Sequence, residues 1–205
     1  SYEDAVDAFQ KVIGLIPDQE EACRELVEVY ESMNCPQGHS KALEQLALAA
    51  SDSASQVHAL HRRAELLWKK LGQTDLAELC LRQAIELSPT TVDLWLLLSE
   101  IMEEAGNLDE SVLVLEDGFS HFQPDAEKVN DVHERLAHLA RLQDAPEKEA
   151  KHLQSIIKSG NRQDTLCQRL LDLFRGLGWL SQAAESMQEW AQYGDVLEPN
   201  DLILN

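Results

Sequence analysis

An all-α fold of repeated helix-turn-helix units is what this sequence predicts, on three observations. Leu, Ala, Glu and Gln dominate the chain, and these residues lose little rotamer freedom on entering a helix. Glycine (9) and proline (6) are too sparse for the turns of an all-β chain. Third, a pattern of large and small residues recurs at a fixed spacing, the signature of a repeat architecture.

The spacing is clearest in the middle of the chain. Trp68 and Met102, Gly72 and Gly106, Ala77 and Ser111, Leu81 and Leu115, and Ala84 and Gly118 all stand 34 residues apart. With that template the helices can be placed in order. The first, over 2–16, carries Tyr2, Ala5, Phe9 and Val12 and stops at Pro17. The second, over 18–33, carries Leu26 and Tyr30. Extra residues around Asn34-Cys35-Pro36-Gln37-Gly38 precede a third helix over 39–51, with Ala42, Leu46 and Ala49 on its packed side. The fourth, 54–71, ends at Gly72, and the fifth, 74–87, ends before Pro89. The sixth, 91–105, ends at Gly106, and the seventh, 108–121, ends before Pro124. Glycine takes the left-handed conformation that terminates a helix with little strain, and proline lacks the donor a helix interior needs. A weaker copy follows as helices over 126–143 and 146–159, with Leu136, Ala137, Ala140, Ala150 and Ile157, and with Asp144 in the glycine position. The last pair, 163–177 and 180–193, carries Leu170, Phe174, Gly178, Ala183, Met187 and Trp190. Small residues such as Ala77, Ala84 and Ala183 let helices approach, while Trp68, Leu81, Phe174 and Met187 fill the remaining space. From Val196 to Asn205 the helical pattern is absent.

This pattern resembles the tetratricopeptide repeat: a large residue, Leu, a small residue and an aromatic in the first helix, a turn glycine, then Ala, Leu or an aromatic, Ala and a closing Pro. The resemblance runs over residues 1–193, closest in the third and fourth units and weakest in the fifth. It implies an α-solenoid, a right-handed superhelix of about five and a half units. Residues 1–193 form a single domain in this reading, with a non-helical tail over 194–205. The chain opens on the second helix of a unit, which reads as a piece of a longer array.

Charge and cysteine usage narrow the function. Seventeen Lys and Arg against 37 Asp and Glu give a formal charge of −20. Such a surface repels phosphate backbones and anionic lipid, so neither nucleic acid nor a membrane surface is an expected partner. The charge serves either to keep a long helical surface dissolved or to attract a basic partner. Cys23, Cys35, Cys80 and Cys167 form no Cys-x-x-Cys pair, so reduced thiols and a cytoplasmic or nuclear setting are expected. No apolar run approaches the roughly 20 residues that cross a bilayer. Secretion stays open because the N-terminus reads as truncated. His58 and His61 share one helix face, but no Cys or carboxylate supports them at ligand spacing. Phosphate-loop, His-Glu-x-x-His and Gly-x-Ser-x-Gly motifs are missing. No catalytic residue, metal or cofactor is expected.

In the family, as the resemblance implies, a partner lies in a concave groove lined by the first helix of each unit. The residues falling there are Arg24 and Glu28, then Arg62, Arg63, Leu66 and Lys69, then Leu97 and Glu100, then Arg135 and His138, then Arg169 and Asp172. Read in order they make acidic, basic, acidic and mixed bands, with Leu66, Leu96 and Leu97 as apolar anchors. The same charges can instead be solvated or paired within a helix, as Glu65 and Lys69 are spaced to be. The carboxylate clamp of co-chaperone members is not reproduced, since Glu28 and Leu66 stand where asparagine is required. The expected function is therefore a protein–protein interaction scaffold holding an extended or helical segment of another protein. The alternative is a structural spacer, or a segment that self-associates through its terminal helix or tail.

Overall fold

A computed structural model of the chain describes residues 2–15, 20–122, 128–160 and 163–192. Eleven α-helices and no strand are found among them: α1 (Tyr2–Leu15), α2 (Glu20–Ser32), α3 (Pro36–Ala49), α4 (Ser53–Leu71), α5 (Thr74–Leu87), α6 (Val92–Glu104), α7 (Leu108–Phe119), α8 (Val129–Leu142), α9 (Pro146–Lys158), α10 (Asp164–Gly176) and α11 (Leu180–Gln192). The expected stops at Pro17 and Pro124 and the tail over 194–205 lie outside the described residues.

The backbone falls into two compact units, Ser1–Pro124 and Asp125–Asn205. In the first, each helix from α1 to α7 packs on the next in the chain, so the fold grows chiefly by contacts between successive helices. Leu26, Leu43, Leu67, Leu81, Leu94, Leu98, Ile101 and Leu115 are its fully buried large side chains. Ala42, Ala59, Ala64, Ala77 and Ala84 are buried beside them, the interleaving of large and small residues that dense packing requires. In the second unit α8 packs on α9, α9 on α10 and α10 on α11. Its core gathers Ala137, Leu153, Ile156, Leu170, Phe174 and Trp190, with Trp179 and Met187 packed against it.

The turn between the two helices of a pair is built the same way five times. Asn34 (φ 49°), Gly72 (63°), Gly106 (81°), Asp144 (52°) and Gly178 (71°) are all left-handed. In four of them the next amide reaches back to close the helix: Cys35 to Tyr30, Asn107 to Met102, Ala145 to Ala140 and Trp179 to Phe174, at 2.8–3.1 Å. At Gly72 its own amide and that of Gln73 both reach the Leu67 carbonyl. This satisfies carbonyls that a helix C-terminus would leave open. Asp144 thus does the work of a turn glycine, as its place in the repeat predicts.

The third helix departs from expectation. It begins at Pro36 rather than near residue 39, because proline at a first helical position sacrifices no hydrogen bond. Asn34, not an inserted residue, is then the turn of that unit, and Leu43 and Leu46 enter the core while Ala49 is half-buried. Gly38 is required here, since a Cβ on it would overlap the ring of Tyr30.

Candidate functional site: the first-helix face

In the first unit, two side-chain contacts tie successive first helices together. Arg62 on α4 meets Glu31 on α2 at 3.1 Å, and Trp68 Nε1 on α4 donates to Glu104 on α6 at 2.7 Å. These contacts set α2, α4 and α6 beside one another and identify the face the repeat pattern singles out. Four of its cations, Arg62 among them, are engaged. Arg24 pairs with Glu20 (2.7 Å) and, more distantly, with Glu21 (3.9 Å). Arg63 turns away to Glu44 on α3 at 2.9 Å. Lys69 pairs with Glu65 one turn back at 3.1 Å and lies over the Trp68 ring at 5.2 Å. Three exposed carboxylates on the same helices, Glu25, Glu28 and Glu100, have no partner among the described residues. The alternating bands read from sequence thus become a face whose positive charge is locally neutralised and whose negative charge is in surplus.

The apolar anchors divide. Leu66 and Leu96 are half-buried, so part of each side chain faces water. Leu97 is a correction: it is 7% exposed and packs into the core. The cause is the composition of α6, where Val92, Leu94, Trp95, Leu98, Ile101 and Met102 are buried as well; a helix apolar on nearly every side is buried on nearly every side.

In the second unit His138 and Asp172 are exposed, and Arg135 and Arg169 are partly buried. Asp172 holds Gln168 (3.1 Å) and Arg175 (3.2 Å) on its own helix. Arg169 instead clasps a residue that sequence reading passed over. Glu149, on α9 and 1% exposed, accepts Arg169 Nε at 2.9 Å and Nη2 at 2.8 Å, and Arg141 Nε at 2.9 Å. Burial alone would raise the Glu149 pKa, but the hydrogen bonds from Arg169 and Arg141 outweigh it and hold the carboxyl below its ordinary value. A signal was present in the sequence: five residues after each turn residue stand His39, Ala77, Ser111, Glu149 and Ala183. An acid at that packed position needs partners.

The same unit brings His133 on α8 and His152 on α9 to 3.1 Å between their Nδ1 atoms. Desolvation, then the neighbouring His133, Lys151 and Lys148, lower the pKa of His152 to about 4. The pair the sequence pointed to, His58 and His61, instead lines a shallow hollow with Val57, Leu87 and Leu94. Among the described residues no three His, Cys, Asp or Glu side chains are grouped to hold a metal ion, and no helix is long and apolar enough to cross a membrane.

Antiparallel helix pairs closed by a recurring left-handed turn define an all-α helical-repeat solenoid. The chain carries a tetratricopeptide repeat: residues 57–91, from within α4 through α5, match the family profile described as Tetratricopeptide repeat. Solved structures share the fold. One is a crystal structure of MamA protein (TM-score 0.59, 13% identity, covering 89% of this chain and 99% of that one). Another is YrrB, described as a TPR protein with an unusual peptide-binding site (0.56, 17% identity, 82% of each chain). A third is pilF of Pseudomonas aeruginosa (0.57, 13% identity, 98% and 97%). Comparison with curated protein sequences gives no significant match.

Proposed function

We propose that this chain is a protein-interaction scaffold that receives an extended or helical segment of another protein along the face of its first helices, and that it works by binding rather than catalysis. The observation that carries the proposal is the charge state of that face in the first unit. Arg24, Arg62, Arg63 and Lys69 are already paired, while Glu25, Glu28 and Glu100 have no partner among the described residues. A partner segment with Lys or Arg beside an apolar side chain supplies what is missing, with Leu66 and Leu96 taking the apolar contact. The −20 charge of the chain favours the same partner and opposes nucleic acid. The peptide-binding site named for YrrB is consistent with this use of the fold. In this proposal residues 1–193 act as one array in a cytoplasmic or nuclear setting, and Arg135, His138, Arg169 and Asp172 line its second part.

The test is selection of a displayed random-peptide library against the chain. Enriched sequences are expected to carry Lys or Arg next to Leu, Ile or Phe, and to lose at least tenfold in affinity for a Glu28→Lys/Glu100→Lys variant of unchanged helical content. Selected peptides that bind both proteins equally would remove this face from the proposal. A spacer that self-associates is the second reading, favoured by α1, which has no buried residue and exposes Tyr2, Val12 and Leu15. Light scattering over a hundredfold concentration range separates the two, since only the spacer gains mass.

A further inference from the structure

In the first unit, α3, α4 and α5 enclose a cleft of about 420 Å³. Four leucines line it while remaining exposed: Leu48 (81%), Leu76 (45%), Leu79 (53%) and Leu87 (40%). The fold does not ask for three of them. Counting from the left-handed turn residue of each unit, the place of Leu79 is held elsewhere by Lys41, Leu113, Lys151 and Glu185. The place of Leu48 is held by Glu86, Ser120, Lys158 and Gln192, and that of Leu76 by Gly38, Glu110, Lys148 and Gln182. Side chains that pack the repeat cannot be swapped so freely for charged ones. Leucine at these three positions therefore serves something outside the repeat, and together with Leu87 they converge on one cleft.

The rim says what that is. Glu44 and Glu86 border the cleft, and both are exposed. The one cation lining it, Arg63, is already held by Glu44. With Glu44 so paired, Glu86 leaves the rim net acidic, and a second copy of this chain would bring a like-charged rim against it, within an overall charge of −20. From Leu76 to Leu87 the cleft follows α5 for about 16 Å at 1.5 Å per residue, three helical turns. We infer that this cleft is a docking site for an amphipathic helix of a partner protein, with Leu, Ile or Met on the face that enters and Lys or Arg flanking it. It is a second surface, sharing only Arg63 with the first-helix face.

The experiment uses the full chain and a fluorescent 18-residue helical peptide of Leu and Lys, with Leu at every third or fourth position. A second peptide replaces each Lys with Glu. Fluorescence anisotropy is expected to show saturable binding of the Lys peptide, and at least tenfold weaker binding of the Glu peptide. The Leu48→Lys/Leu79→Lys variant is expected to lose at least tenfold for the Lys peptide. That variant should keep its helical content, because lysine holds both places in other units (Lys158; Lys41 and Lys151). The Glu28→Lys/Glu100→Lys variant should bind as the parent does, which separates this cleft from the first-helix face. Unchanged binding by the leucine variant would overturn the inference, as would loss of binding by the glutamate variant. A dimer of the parent chain that the leucine substitutions abolish would also overturn it, by assigning the cleft to a second copy.

Discussion

Arg169 on α10 donates Nε and Nη2 to the two carboxylate oxygens of Glu149 on α9, at 2.9 and 2.8 Å, and so joins the second helix of one repeat to the first helix of the next. The two ends of this contact are unequal. Glu149 has 2% of its side chain exposed, while Arg169 has 42% and its companion Arg141 has 52%. Removing the arginine strands a buried acid; removing the acid leaves arginines that water can solvate.

Arg169→Ala is therefore expected to destabilise the chain by about 2 kcal/mol, below the usual figure for a broken buried pair because Arg141 remains. Glu149→Ala should cost under about 1 kcal/mol, since the exposed partners rehydrate and alanine already holds the equivalent places at Ala77 and Ala183. The double variant should resemble Glu149→Ala alone. Urea unfolding of the three variants checks this, and a Glu149→Ala loss larger than that of Arg169→Ala would refute the asymmetry.

The repeat, the helix order and four of the five turn residues were legible because they rest on local rules: proline and glycine stop helices, and periodicity reveals packed faces; Asn34, read as part of an insertion, was not. Even Asp144 in a glycine place could be read. The charge pairing was not legible, because Arg62 chooses Glu31 and Arg63 chooses Glu44 across helices brought together only by packing. Lys69 with Glu65 was, being one turn apart. Leu96 and Leu97 are adjacent in sequence, yet only Leu97 is buried. Which of two neighbouring leucines faces inward depends on how α6 is rotated against its neighbours.

The His133–His152 contact predicts a pH dependence. Burial first, then His133, Lys151 and Lys148, depress the His152 pKa from 6.5 to about 4, and burial, then Lys151, lower that of His133. A depressed pKa contributes stability that is present above the unfolded value and lost as pH falls toward the folded one. Unfolding midpoints should thus decline between about pH 6.5 and 4, with a further decline below about 4.5 as Glu149 is protonated, its own pKa being lowered. His152→Gln should flatten the upper part of the curve and leave the lower part. A curve unchanged between pH 6.5 and 4.5 by that substitution would dismiss the pair as its source.

Asn34 and Asp144 hold the left-handed turn with side chains that tolerate it less well than glycine. Asn34→Gly and Asp144→Gly should each stabilise the chain by about 0.5–1 kcal/mol, the strain relieved less the entropy that glycine adds to the unfolded chain. Gly72→Val, which puts a β-branched residue at φ 63°, should lose more than either gains. Thermal unfolding of the three variants reads the sign directly; a loss on Asp144→Gly would mean that its side chain stabilises the turn by more than its backbone strains it.

Ser99 on α6 and Ser111 on α7 are fully buried and bonded to each other, Oγ to Oγ at 2.7 Å. Ser111 Oγ also donates to the Ser99 carbonyl at 2.8 Å. Its single proton is thereby committed, so Ser99 must be the donor between the two hydroxyls. The consequences of removing either one differ. Ser111→Ala leaves the Ser99 hydroxyl without an acceptor in a dry site and should cost about 1–2 kcal/mol. Ser99→Ala takes away that donor but leaves Ser111 bonded to the backbone carbonyl, and should cost less than about 1 kcal/mol. In the double variant no hydroxyl is stranded, and alanine at 111 matches Ala77 one unit earlier. The double variant should therefore be more stable than Ser111→Ala alone, a reversal that denaturant unfolding detects as a coupling between the two sites. Strict additivity of the two losses would show that the hydroxyls do not share their proton in this way.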